Sequence, residues 1–129
     1  MNGRYLLDTN ILIAILADEP QVVRSLVHAE QVYLPSIAIG ELWFGAKKSG
    51  QPARNMQRID QFAASNVVLA CDTDTARQYG ELKNGLRLKG RPVPENDIWI
   101  AALAKQYDLM LVTRDGHFRE IASLKTVRW

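Results

Sequence analysis

A single cysteine, Cys71, is all the thiol chemistry the sequence holds. One cysteine closes no disulfide within the chain, and no cluster of His and Cys ligands surrounds it, so neither a disulfide framework nor a zinc site is expected. Cys71 reads as a half-buried structural thiol, and a reducing cytoplasm suits it. No apolar run approaches the ~18–20 residues a bilayer span requires, which excludes a membrane-spanning helix. The start, Met1-Asn2-Gly3-Arg4, lacks the charged, apolar and cleavable succession of a secretion leader. Repeats, low-complexity tracts and linkers are missing too, so residues 1–129 are expected to form one domain. Charge of one sign is also scarce, at a net +2. That value alone argues for no polyanionic partner, although gathering four acids into one pocket would leave the rest of the chain at +6.

What is present is alternation. Short apolar runs at residues 5–7, 32–34, 67–69 and 109–113 read as strands, with an edge strand expected at 125–128. Helical patterns separate them: 11–17 capped by Asn10, a helix restarting at Pro20, one opened by Ser36 and one carrying Met56, Ile59, Phe62 and Ala63. Asp72-Thr73-Asp74 caps a helix bearing Tyr79, Leu82 and Leu86, and residues 96–107 form a strongly apolar helix. Two prolines and a glycine make 90–94 a loop, and residues 116–118 turn the chain. Strands alternating with helices predict an α/β fold, a three-layer α/β/α sandwich around a mainly parallel sheet.

Four acids stand where apolar surroundings make acids costly. Asp8 and Asp115 each lie just beyond an apolar strand, where open α/β sheets bind ligands. Each can equally cap the next helix or turn. Glu41 sits in Ile37-Ala38-Ile39-Gly40-Glu41-Leu42-Trp43-Phe44-Gly45, a helix apolar on every side and therefore expected to be buried, unless Glu41 occupies a narrow polar strip. Flanking glycines 40 and 45 would allow close approach of another backbone or a ligand. Asp97 opens the apolar helix Ile98-Trp99-Ile100-Ala101-Ala102, where it also suits the helix dipole. Ionised carboxylates gathered in one pocket repel, and protonate unless a cation neutralises them. Oxygen-only ligation suits Mg²⁺ or Mn²⁺, cations able to clamp phosphate oxygens and activate water.

Leu7-Asp8-Thr9-Asn10, the helical Glu41, Asn96-Asp97-Ile98-Trp99 and Val112-Thr113-Arg114-Asp115, in that order, resemble the PIN-domain nucleases and, more narrowly, the VapC toxins of toxin–antitoxin pairs. The resemblance implies a metal-dependent endoribonuclease, with Asp8 and Asp97 as the firmest metal ligands. It implies that Glu41 ligates metal or orients water, that Asp115 completes the site, and that Thr9, Asn10 and Thr113 support the acids. A homodimer and inhibition by a cognate VapB-type antitoxin are implied as well.

Lys83, Arg87, Lys89 and Arg91 form the densest basic stretch, with Lys47, Lys48, Arg54 and Arg58 a second group. From these Lys47, Arg87, Lys89 and Arg91, together with Arg114, are candidate RNA contacts; solvated helix faces, or a salt bridge for Arg114, are the plainer alternatives. His28 and His117 read as structural or surface residues. Trp43 and Phe44 suit buried packing or a dimer and antitoxin surface. A different class remains open, a catalytically silent metal- and RNA-binding module. A phospho-acceptor domain using Asp8 and Thr113 lacks its accompanying acid pair and lysine.

Overall fold

The structure, a computed structural model, describes residues 3–129; Met1 and Asn2, part of the start read above as leaderless, lie outside the described residues. The chain begins with β1 (Arg4–Leu7), α1 (Thr9–Leu16) and α2 (Pro20–His28). There follow β2 (Gln31–Pro35), α3 (Ser36–Lys47), α4 (Pro52–Ala64) and β3 (Val67–Leu69). The second half holds α5 (Thr73–Lys89), α6 (Glu95–Gln106), β4 (Met110–Val112), a 3₁₀ helix (Gly116–Glu120) and β5 (Thr126–Val127).

The five strands form one sheet in the order β3-β2-β1-β4-β5, and all four pairings are parallel. Side chains alternate across β1, and so decide the layers. Leu7 points into a core shared with α1 to α4, including Ile11, Leu12, Val22, Ala38 and Ile59. Leu6 points the other way, into a core shared with α5 and α6 through Leu86, Ile98, Ile100 and Leu103. This is the expected α/β/α sandwich. Because β1 leads to β2 on one side while β4 pairs on its other side, a crevice opens at the carboxyl ends of β1 and β4.

Local differences from the sequence reading have identifiable causes. α1 starts at Thr9 because Asp8 is its N-cap, taking the Thr9 amide at 2.8 Å. Asn10, expected to be the cap, instead accepts the Arg114 amide at 3.3 Å. Pro35, not Ser36, holds the N-cap position of α3. The apolar helix begins one residue early, at Glu95, following Pro94. Residues 116–118 extend into a 3₁₀ helix, and the 109–113 and 125–128 strands narrow to β4 and β5. α5 does carry the predicted cap: Asp72 and Thr75 form a reciprocal capping box. It stops at Gly90, whose φ of 66° is the left-handed conformation glycine adopts without strain.

Candidate active site

Each acid reaches the crevice from a different element. Asp8 leaves the end of β1, Glu41 projects from α3, Asp97 lies in the first turn of α6, and Asp115 follows β4. Asp8 is only 4% exposed. Burial raises its pKa first of all; hydrogen bonds from the Thr113 hydroxyl and the Thr9 amide pull it back, and the charges of Asp115 and Glu41 push it up again. Asp97 is pushed up to about 6 by burial and then by the charges of Asp8 and Asp115, against the pull of His117. Asp8 therefore senses the charges of Asp115 and Glu41, and Asp97 those of Asp8 and Asp115.

Two threonines connect Asp8 with Glu41 and with the turn that bears Asp115. The Thr113 hydroxyl donates to Asp8 Oδ2 at 2.7 Å and accepts the Asp115 amide at 2.9 Å, so one buried oxygen spans both strand ends. The Thr9 hydroxyl donates to Glu41 Oε1 at 2.6 Å, linking α1 to α3. Asp115 also accepts the His117 amide at 2.9 Å, which caps the 3₁₀ helix. Its capping and cluster roles thus coexist.

Glu41 departs from its expected setting. It is half-buried, because α3 buries only the stripe Ala38, Leu42 and Ala46. Phe44 is 66% exposed, with the Lys48 ammonium 4.5 Å from its ring centre, and Trp43 is 36% exposed, so neither is part of the core. An added Cβ at Gly40 or Gly45 would meet nothing within 4 Å, so no backbone approaches there. Glu41 instead lines two clefts of about 410 and 480 Å³, the first between α1, α3 and α4, the second running past Phe44 to Asn96.

His117 is the residue the sequence reading missed. Its ring is exposed as expected, yet Nδ1 lies 3.0 Å from Asp115 Oδ1 and 3.5 Å from Asp97 Oδ2. Asp97, Asp115 and His117 each offer a ligand atom, all within 4.8 Å of one another. The available signal was its position two residues past Asp115, but only the 3₁₀ turn folds the ring back. His28, hydrogen-bonded to the Arg24 carbonyl on exposed α2, matches its structural reading.

The candidate RNA contacts are variously engaged. Arg114 makes a two-pronged contact with Glu19, at 2.9 and 3.3 Å, tying the end of β4 to the start of α2. Lys89 donates to the Glu120 carbonyl at 2.6 Å, and Arg91 lies 3.8 Å from the Glu120 carboxylate. Arg87 contacts Asn84 at 2.9 Å, and Lys83 joins Glu95 and Tyr79. Lys47 is exposed at the end of α3.

A three-layer sandwich with a parallel sheet and acids gathered at one edge defines a class. Residues 5–124 match the PIN domain. The chain is 34% identical over 129 residues to Ribonuclease VapC2 of Haemophilus influenzae, with 98% of each covered. To the tRNA(fMet)-specific endonuclease VapC of Shigella flexneri it is 33% identical at the same coverage. The solved structure of DNA-bound VapBC from Salmonella typhimurium matches it with a TM-score of 0.90 at 31% identity, over 100% of this chain and 99% of that one. The chain belongs to the PIN-domain family and, within it, to the VapC group.

Proposed function

We propose that the protein is a metal-dependent endoribonuclease, the toxin of a type II toxin–antitoxin pair, acting in the cytoplasm. The observation that carries this reading is that Thr113 ties Asp8 to the turn bearing Asp115 and Thr9 ties Asp8's helix to Glu41, while His117 stands between Asp115 and Asp97. The names of the relatives above, a ribonuclease and a tRNA endonuclease, support RNA as substrate.

The donor set fits a hard divalent cation. Burial first, and then the charges of Asp8 and Asp115, raise Asp97 to about 6, so these acids need an external positive charge to remain ionised together near neutral pH. Asp8, Asp97, Asp115 and Glu41 would hold Mg²⁺ or Mn²⁺. Such a cation, when bound, lowers the pKa of water and offsets negative charge on the phosphate oxygens. The chain's own residues do the rest. Asp8 is fixed by Thr113 and the Thr9 amide, so its oxygens are set before substrate arrives. Glu41 has Oε1 occupied by Thr9, which leaves Oε2 to orient the attacking water for in-line displacement. Asn10 and Arg114, joined through the Arg114 amide, brace the loop that carries Asp115.

The exposed apolar residues Ile13, Trp43 and Phe44 suit the surfaces used by a homodimer and a VapB-type antitoxin. The Salmonella relative was solved as a VapBC assembly, which supports such a partner. Incubating total RNA with wild type and with Asp8→Asn, in Mg²⁺, tests the reading. Cleavage by wild type alone is expected; RNA binding without turnover by wild type would instead assign the chain as a silent binding module.

A further inference from the structure

The three clefts that touch the acid centre differ in chemistry. Of the two that reach Glu41, one is walled largely by apolar side chains, among them Ile13, Leu16 and Ile59, and the other sets Ile37 and Phe44 beside Ser36 and Asn96. The third, of about 340 Å³, opens from Thr113 and Asp115 toward the edge strand β5, and its walls include Gly116, Arg119, Thr126 and Arg128. It shares Thr113 and Asp115 with the acid centre, so a chain lying over the acids runs into it directly.

Arg119 and Arg128 are exposed, and among the described residues neither forms an ion pair. Both are nonetheless placed. An Arg128 nitrogen donates to the Arg114 carbonyl at 3.1 Å. Arg119 lies over Gly116, where an added Cβ would come within 2.7 Å of its Nη2, so a residue without a side chain leaves room for this guanidinium in the cleft, its Nε 3.5 Å from the Gly116 carbonyl. The third arginine on this wall, Arg114, is spent on Glu19. Of the acids, only Asp115 lines the cleft. The basic stretch most visible in the sequence is, by contrast, largely held by Glu95 and Glu120.

We propose that Arg119 and Arg128 form a phosphate-binding subsite for the RNA strand next to the phosphate being cut. The inference rests on the ribonuclease reading. A polyanion approaching four carboxylates needs fixed positive charge close by, and guanidinium forks match phosphate oxygens. The bases would then lie toward the apolar cleft on the Glu41 side, while the backbone passes the arginines.

The test uses the full chain and a short single-stranded RNA containing the mapped cleavage site. Kinetics with the wild type, Arg119→Gln, Arg128→Gln and the double variant are compared on normal RNA and on RNA carrying one neutral methylphosphonate linkage beside the cut. In the Asp97→Asn background, where cleavage is blocked, affinity is followed against salt by fluorescence anisotropy. We expect the neutral linkage to raise KM for wild type and not for the double variant. The slope of log affinity against log salt should become shallower by about 0.7 per arginine removed. Arg119→Lys and Arg128→Lys should restore most of that slope, and unchanged melting curves confirm folding. A double variant that still senses the neutral linkage, or keeps the full salt slope, overturns the subsite while leaving the ribonuclease reading intact. RNA binding unchanged but antitoxin binding weakened assigns the cleft to the protein partner and likewise overturns it. A wild type that neither binds nor cuts RNA removes both readings together.

Discussion

Thr113 shows how much of the site depends on a residue with no chemistry of its own in the reaction. It is 6% exposed, and its hydroxyl serves Asp8 and Asp115 at once. Thr113→Val keeps the shape and removes both hydrogen bonds, leaving buried polar groups unpaired. We predict a loss of about 1–3 kcal/mol in urea unfolding and a fall of about 10–100-fold in cleavage rate, as for other residues that orient metal ligands; Thr113→Ser should retain most of both. Asp97 makes a pH prediction. Its pKa in the fold, about 6, lies above the ordinary 3.8, so the fold binds the proton more tightly than the unfolded chain does. The contribution of Asp97 to stability is therefore complete below about 3.8 and is lost as pH rises through about 6. In EDTA, the melting temperature of wild type relative to Asp97→Asn should fall across that window; a constant difference would refute the electrostatic origin. At this scale the sequence pointed to Asp97 as the acid that opens an apolar helix, and the fold sets it in the first turn of α6. The sequence was silent on His117, since nothing local says that a ring two residues on will turn back over Asp115.

The two helices that read alike in sequence behave differently in the fold. Both α3 and α6 carry apolar residues around most of their circumference. α6 lies between the sheet and α5, so Ile98 and Ile100 through Ala104 are buried. α3 buries Ala38, Leu42 and Ala46 and half-buries Ile37 and Ile39, but it leaves Phe44 exposed and Trp43 partly so. Periodicity reports which residues can be buried, not how many neighbours arrive to bury them. Helix ends were more legible where capping side chains are paired. At α5, Asp72 takes the Thr75 amide at 3.0 Å and Thr75 returns the favour to the Asp72 amide at 3.0 Å. Asp72→Ala should cost about 1 kcal/mol, read as a drop of roughly 2–8 °C in melting temperature, without altering the cleavage rate. At α1 the choice between Asp8 and Asn10 depended on Arg114, which is more than a hundred residues away, so no local pattern could have settled it.

For the molecule as a whole, strand–helix alternation was enough to indicate three layers and a parallel sheet. The strand order was not indicated, because placing β4 against β1 joins Leu7 to Val112 and so rests on contacts between the two ends of the chain. That pairing sets Asp8 beside the turn bearing Asp115 and assembles the acid centre. Gathering like charges in this way destabilises the metal-free fold, and a divalent cation binding the folded state alone should reverse the effect. At a hundredfold excess over Kd the gain is about 2.7 kcal/mol. A higher melting temperature in Mg²⁺ or Mn²⁺ than in EDTA, with much of the increment absent in Asp8→Asn, is the expected result; identical melting in all three conditions would count against a shared cation.

The central claim is that the gathered carboxylates cut RNA. Its most direct measurement is cleavage of total RNA with mapped ends, comparing wild type with Asp97→Asn in the same Mg²⁺ buffer after equal melting curves show that both are folded. Discrete new RNA ends are expected with wild type and none above background with Asp97→Asn. Equal cleavage by both proteins would contradict the claim.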